Sequence, residues 1–336
     1  MDKHWAFAYL PKVFCGFSYI VNPVFIYLIF SEKSSVLGNY RYLLLYFACF
    51  NLFYSVANVL VPLDIHSYGY CFFLMLSDGY FVQLSDFNIH ILIARCALII
   101  CSYAVLMSHF VYRYLVVLSS SLTKQKFPLF MLASFALLVL MFGSWHTLCI
   151  TIGTANHEMR EYIRNDFMEI YGKDSMDFNM MGALYRDGSW DTVSRSWLAV
   201  SLWSLGATWP IFGYAILCRL IIKKLKTTTA MSCRTAQIQI ELLRALVVQT
   251  MIPIFISFLP AVLCWYTPMI GVQLGRTFNY FEVSAFGVFA FVDPIAIILC
   301  IPLFRKRLFG KWMVPNMHPR LSVVSTQSSK MATSSF

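Results

Sequence analysis

The chain has 336 residues, of which 59% are apolar, 17% aromatic and only 12% charged, with a formal net charge of +10. Soluble domains carry about 25% charged residues, so a water-soluble globule of this composition would have to expose apolar and aromatic surface on a large scale. Composition excludes that class and places the chain in a bilayer.

Runs without Asp, Glu, Lys or Arg cover 13–30, 42–63, 96–112, 127–156, 196–218 and 245–275, and a seventh apolar run from Phe281 to Phe304 holds only Glu282 and Asp293. A spanning helix needs about 20 mostly apolar residues. The expected fold class is an all-α membrane protein, a seven-transmembrane helix bundle with spans near 11–30, 42–63, 89–117, 127–152, 197–222, 245–266 and 280–303. The first run is long enough to span and is followed by no clear small-residue cleavage site, so it reads as a retained helix and not a signal peptide. The second helix carries Asn51, Ser55 and Asn58 on one stripe. The third carries Arg95, Ser102, His109 and Arg113 at helical spacing, again one stripe.

The segment 153–196 is long and polar and is expected to form a lid or short helices over one end of the bundle. The sixth helix holds Pro253 and Pro260, each removing an N–H donor and kinking the helix, as a hinge or a static bend. In the seventh, Asp293-Pro294 couples an acid at membrane depth to a further kink. Phe304, Leu308 and Trp312 then recur every four residues among Arg305, Lys306, Arg307 and Lys311, the pattern of a short amphipathic helix on the membrane surface. The seven-helix domain is thus expected over 1–310 and a tail without a fixed fold over 311–336, Ser/Thr-rich from Arg320 onward.

Loop charge sets the orientation. Of the 26 Lys and Arg, 17 fall on the side of the loops near Lys33 and Lys124, the segment Arg219 to Arg244 and the C-terminal tail, and 8 fall on the side of the N-terminus. Basic residues stay cytoplasmic, which puts the N-terminus outside. The long loop after helix four carries eight acids on that outer side. The basic inner face suits anionic lipid headgroups and an acidic cytosolic partner, and because its basic residues border spans it is a poor fit to nucleic acid.

An ionisable side chain at membrane depth should face the bundle interior or water. Arg95 lies about 10 Å in from the outer end of helix three at about 1.5 Å per residue, on the side where Glu282 begins helix seven. A pair between them and a snorkelling Arg95 in an outer vestibule are the two readings. Arg95, Ile99, Trp145, His146, Trp197, Trp265, Tyr280 and Glu282 are the candidate ligand contacts near the outer ends, although each aromatic could equally belong to an interfacial belt. The ten Cys lie mostly in spans, and the long outer loop has none, so no disulfide joins helix three to it. There is no catalytic constellation, metal-spaced Cys/His cluster, Walker loop or nucleophile elbow; no enzyme activity, metal or cofactor is expected.

Four stretches carry a family likeness: Leu37-Gly38-Asn39-Tyr40-Arg41-Tyr42-Leu43 entering helix two, His109-Phe110-Val111-Tyr112-Arg113-Tyr114 ending helix three, Leu243 to Pro253 opening helix six, and Asp293-Pro294 in helix seven. In this order and on these spans they resemble nematode serpentine chemoreceptors of the Str class (class r), which are related to olfactory receptors. The resemblance implies reception of a small, often volatile odorant and coupling to a heterotrimeric G protein, at the plasma membrane of sensory cilia. Tyr112-Arg113-Tyr114 occupies the place of the acidic-Arg-Tyr motif of rhodopsin-like receptors, without the acid. Asp293-Pro294-Ile295-Ala296-Ile297 is similar to an Asn-Pro-x-x-Tyr motif, without the Tyr. On this reading Tyr112, Arg113, Tyr114, Lys223, Lys224, Lys226, Arg234, Pro253, Asp293 and Pro294 serve activation and G-protein coupling.

Two other function classes compete. A ligand-gated channel of the insect-odorant kind has a cytoplasmic N-terminus, which the charge count opposes. A transporter often shows internal repeats, and none is visible.

Overall fold

The computed structural model describes residues 5–31, 37–76, 78–227 and 233–310, and statements of absence below concern these residues. Trp312, the tail over 311–336 and the side chain of Arg234 lie outside them.

Six helices are long and apolar enough to cross a membrane, and a bent pair completes a seventh span. They are α1 (Trp5–Ser31), α2 (Tyr40–Leu60), α3 (Asp86–Val117), α4 (Phe127–Leu148) and α6 (Trp190–Thr227), then α7 (Cys233–Pro253) continuing into α8 (Leu259–Tyr266), and α9 (Arg276–Ala285) with α10 (Phe289–Cys300). Between α4 and α6 lies α5 (His157–Tyr171), and α11 (Pro302–Phe309) follows the last span. Helices lie near each of the seven expected positions, the seventh if the bent pair counts as one span, with α6 running well beyond the expected 197–222 and α7 beginning well before 245.

Helix α3 is the axis of the bundle. Every residue from Ile100 to Phe110 is buried, the pattern of a helix surrounded by others. It packs on α2, α4, α6 and α7. By contrast α4 is apolar all round and only 17% of its most apolar stretch is buried, so most of its surface is left for lipid.

The polar stripes face inward as their spacing predicts. Asn51, Ser55, Asn58, Arg95, Ser102, His109, Arg113, Glu282 and Asp293 are all buried. Where lipid surrounds a bundle, interior polar contacts and close packing hold it, because apolar burial gives helices little preference for one another over lipid tails. One such contact follows from chain chemistry. Pro294 has no N–H, which frees the carbonyl of Ala290 one turn earlier, and that oxygen accepts from Asn22 Nδ2 at 2.9 Å and Ser18 Oγ at 3.3 Å. The proline that breaks the α10 ladder thereby ties α10 to α1.

The sharp bend of the seventh span lies elsewhere than at Asp293-Pro294. It is 55° and falls between Ala285 and Phe289, around Gly287. A Cβ there would stand 2.7 Å from Asn58 Nδ2, so a residue without a side chain lets this bend press against α2. In the sixth span Pro253 ends α7, and the next five residues, Ile254–Phe258, form a π-helical turn before α8 resumes. That wider turn is how this span absorbs the missing donor.

An outer layer covers the end of the bundle on the side of the N-terminus. Strands β1 (Leu63–Tyr68), β2 (Cys71–Leu76) and β3 (Met180–Leu184) form an antiparallel sheet in that order, with Leu63 opposite Leu76 and Cys71 opposite Leu184. The β1–β2 turn uses Gly69 at φ +53°, a left-handed conformation that glycine takes without strain. Side chains alternate across the sheet. Cys71, Phe73 and Met75 point away from the bundle toward Met159, Ile163 and Phe167 of α5, while Phe72 and Leu76 join the bundle core. The expectation of short helices over 153–196 is therefore met by α5, but the sheet is an addition to the all-α expectation.

Polar clasps hold this layer down. Arg276 of α9 donates to Asp64 of β1 at 2.6 Å, and Tyr171 of α5 donates to the same carboxylate at 3.2 Å. Glu158 accepts from Ser189 and Thr192, which holds its carboxyl below the usual carboxylate range. Arg195 caps the end of the fourth span, reaching the carbonyls of Thr151 and Ile152 at 3.2 Å each, a favourable place for a cation at a helix C-terminus.

Candidate ligand cavity and inner face

Beneath the sheet lies a cavity of about 80 Å³, roughly half the ~150 Å³ of a dry cavity that admits benzene. Helix α3 supplies Cys96, Ile99, Ile100 and Tyr103, which share one face by their 3, 4 and 7 spacing. Trp145 closes the side toward α4, Trp203 and Ala207 the side toward α6, and Trp265 and Ala261 of α8 the side toward the sixth span. Glu282 and Phe286 enter from the seventh, and Ile65, Phe72, Leu74 and Met181 form the roof. Ser257 and Phe258 also line it, and both belong to the π-helical turn after Pro253. The wall of the cavity and the irregular turn of the sixth span thus share Ser257 and Phe258.

Of the ligand contacts expected from sequence, the fold brings together Ile99, Trp145, Trp265 and Glu282. It does not bring Arg95, His146, Trp197 or Tyr280 to the lining. Arg95 makes no ion pair with Glu282: its Nη2 donates to Asn58 Oδ1 at 2.5 Å, and its guanidinium stands 4.7 Å from the Tyr54 ring centre. At 2% exposure it does not snorkel either; Asn58 and Tyr54 of α2 take the place of both expected settings. His146 faces His90, with ring nitrogens 3.2 Å apart. Trp197 is 44% exposed and packs its ring edge on Tyr185. Tyr280 lies under the guanidinium of Arg276, 4.5 Å from its ring centre.

The carboxylate of Glu282 is fully buried. Its Oε2 accepts from the thiol of Cys264, while Oε1 has no hydrogen-bond partner. Cys264 in turn approaches Asn279 Oδ1 at 3.8 Å, and Asn279 meets His66 Nδ1 at 3.4 Å. His66 Nε2 lies 3.2 Å from Asp166 of α5. A polar chain thus runs from the cavity to the outer layer.

At the opposite end, Arg113 is buried with its guanidinium 3.5 Å from the centre of the Tyr40 ring, and its Nη1 donates to Gln239 Oε1 on α7 at 3.2 Å. Tyr112 stacks on Tyr40 with ring centres 5.3 Å apart and lies 5.9 Å from the Arg113 guanidinium, and His109 Nδ1 is 2.9 Å from Tyr40 Oη. Tyr114 is half-buried, and Lys223, Lys224 and Lys226 are exposed on the last turns of α6. Between the two ends a pinhole of about 10 Å³ is lined by Asn51, Ser102, Pro253 and Asp293 among others, large enough for about one water. No group of three or more His, Cys, Asp or Glu that could hold a metal occurs among the described residues, and no disulfide is present there.

A bundle of seven spans with a cavity under an outer lid and a buried arginine at the inner end defines a serpentine, receptor-type membrane protein. The profile described as "Serpentine type 7TM GPCR chemoreceptor Srj" matches residues 1–308, and the chain belongs to that family. Serpentine receptor class J-38 of Caenorhabditis elegans is 53% identical over 316 residues, covering 93% of this chain and 95% of that protein. Serpentine receptor class r-10 of Caenorhabditis briggsae is 24% identical, covering 88% and 87%. G-protein coupled receptor str-33 of Caenorhabditis elegans is also 24% identical, covering 96% and 93%. The matching family is Srj and not the Str class (class r) expected from the sequence; the class r-10 and str-33 receptors stand at 24% identity. The Srj family is described as one of chemoreceptors.

Proposed function

We propose that this chain is a G-protein-coupled chemosensory receptor of the plasma membrane. By family likeness its place is the cilium of chemosensory neurons. It binds a small odorant in the cavity beneath the sheet and activates a heterotrimeric G protein at the inner face. The observation that carries this reading is the shared wall: Ser257 and Phe258 line the cavity and also form the turn after Pro253.

The mechanism follows from that wall. Gln239, the partner of Arg113, lies fourteen residues before Pro253 on one continuous helix, a lever of about 21 Å at about 1.5 Å per residue. A rotation of about ten degrees at the π-helical turn then moves the Gln239 end by roughly 4 Å over that lever, enough to break its bond to Arg113. A ligand that prefers the rotated arrangement shifts the population toward it by its differential affinity. Arg113, Tyr112 and Tyr114 then become accessible, and with the exposed Lys223, Lys224 and Lys226 they form the coupling face; Arg234 follows at the start of α7 in sequence. Asp293 and Pro294, beside the pinhole at Pro253, bear on the same turn.

The test is expression of the chain in cultured cells with a G-protein dissociation reporter, exposed to a panel of small volatiles. Dissociation on addition of at least one panel member, lost in Arg113→Ala at unchanged surface level, is the expected result. An undiminished response in Arg113→Ala overturns the coupling role.

A further inference from the structure

The geometry points to a small amine as the ligand class of the cavity, held by Glu282. This inference rests on the receptor reading above and sharpens it. Glu282 is the only acidic side chain that lines the cavity, and no lysine, arginine or histidine lines it. Its side chain is fully buried, one oxygen is met by the Cys264 thiol and the other is without a partner. Among the described residues no cationic side chain stands at ion-pair distance from it. The nearby arginines are engaged elsewhere, Arg95 with Asn58 and Tyr54, and Arg276 with Asp64.

A buried carboxylate oxygen without a donor is costly unless something pairs with it. A protonated amine supplies both the donor and the opposite charge. The rest of the lining suits the remainder of such a molecule. Trp145, Trp203, Trp265, Tyr103, Phe258 and Phe286 offer ring faces, which attract a cation when desolvated and bury an alkyl body. The volume of about 80 Å³, below the ~150 Å³ that admits a benzene ring, limits that body to a few carbons. Outside, the segment 153–195 carries eight acids against five basic residues, a small net negative charge that favours cations on the outer side.

The test uses purified receptor in lipid nanodiscs. Short primary alkylamines are titrated against the alcohols of the same skeletons, with tryptophan fluorescence as the readout. Amines are expected to saturate at concentrations about tenfold or more below their matched alcohols. Glu282→Gln keeps the shape and removes the charge, and is expected to weaken amine binding by about tenfold or more while leaving alcohol binding within a few-fold. Failure of any amine to saturate in the millimolar range overturns the proposal, as does equal affinity of matched amines and alcohols, or amine binding unaltered by Glu282→Gln. Ala207→Trp separates the two readings. If alcohols bind and this cavity-filling change abolishes that binding, the cavity stands as the ligand site and only the amine class falls. If ligands of either class bind equally well to Ala207→Trp, the cavity reading itself falls.

Discussion

Arg113 of the third span donates to Gln239 of the sixth at 3.2 Å while its guanidinium lies against the Tyr40 ring. Tyr112, the residue before Arg113, offers it no acid, and a neutral amide from a different helix holds the arginine instead. A hydrogen bond from a charged donor to a neutral acceptor contributes about 1.5–3 kcal/mol. It therefore restrains the inner end while remaining weak enough for a ligand to overcome, given allosteric couplings of about 1–3 kcal/mol. Gln239→Ala is expected to raise ligand-independent G-protein dissociation several-fold at equal surface level. A basal signal no higher than that of the unsubstituted receptor would show that this bond does not restrain activation.

The sheet is held to the seventh span by Arg276 and Asp64 at 2.6 Å, with both side chains largely shielded. Removing one partner of a partly buried pair leaves the other uncompensated. Asp64→Ala should therefore loosen the sheet by about 2–3 kcal/mol, below the 3–5 kcal/mol for a fully buried pair. Hydrogen exchange of the backbone of β1 and β2 reads this directly: faster exchange there, and little change in α3, is the expected pattern. Exchange identical to that of the unsubstituted chain would remove the clasp from the account.

Gly287 sits at the 55° bend with Asn58 against it. Gly287→Ala places a methyl 2.7 Å from Asn58 Nδ2 and forces Asn58 away from Arg95, leaving a buried guanidinium with fewer acceptors. A cost of about 1–3 kcal/mol follows, read as a lowered Tm in nanodiscs. Pro294→Ala is expected to do less, because Asn22 and Ser18 already satisfy the carbonyl that the proline frees. Equal Tm losses at the two positions would contradict this ordering.

Acid should loosen the outer layer. Hydrogen bonds from Ser189 and Thr192 hold Glu158 below its ordinary range, and hydrogen bonds from Arg164 and the Met176 amide do the same for Asp174. A carboxylate whose pKa is lowered by folding stabilises the folded form above its unfolded value, and that contribution is lost as pH falls through the lowered folded value. Protection of α5 from limited proteolysis should therefore be level from neutral pH down to the ordinary carboxylate range, then decline below it. Glu158→Gln should flatten the decline. A loss of protection that sets in on raising the pH instead would have the wrong sign for this mechanism.

Much of the bundle was readable because lipid imposes a simple rule: backbone must bond internally, so spans are helices. The inward stripes of Asn51, Ser55 and Asn58, and of Arg95 to Arg113, were readable because burial of polar groups leaves a helical period. The sheet was not, because β2 is apolar on both faces: Phe72 and Leu74 serve the cavity while Phe73 and Met75 serve α5, so no alternation shows. The cavity was legible only in part. Trp145, Trp265 and Glu282 sit near helix ends where a pocket was sought, whereas Trp203, Phe258 and Met181 gather only once helices far apart in sequence are packed. The face Cys96, Ile99, Ile100, Tyr103 was the available signal for helix three. Gln239, a single amide in an exposed-looking polar segment, carried no signal of its role at all.

On the proposed mechanism, occupancy of the cavity beneath the sheet controls the contact between Arg113 and Gln239. The most direct test is G-protein dissociation by Ala207→Trp, alone and combined with Gln239→Ala, measured with and without an activating molecule. The expected result is no ligand-dependent increment in Ala207→Trp alone, and basal dissociation in the combined variant as high as in Gln239→Ala. A full ligand-dependent increment at the original potency would contradict it.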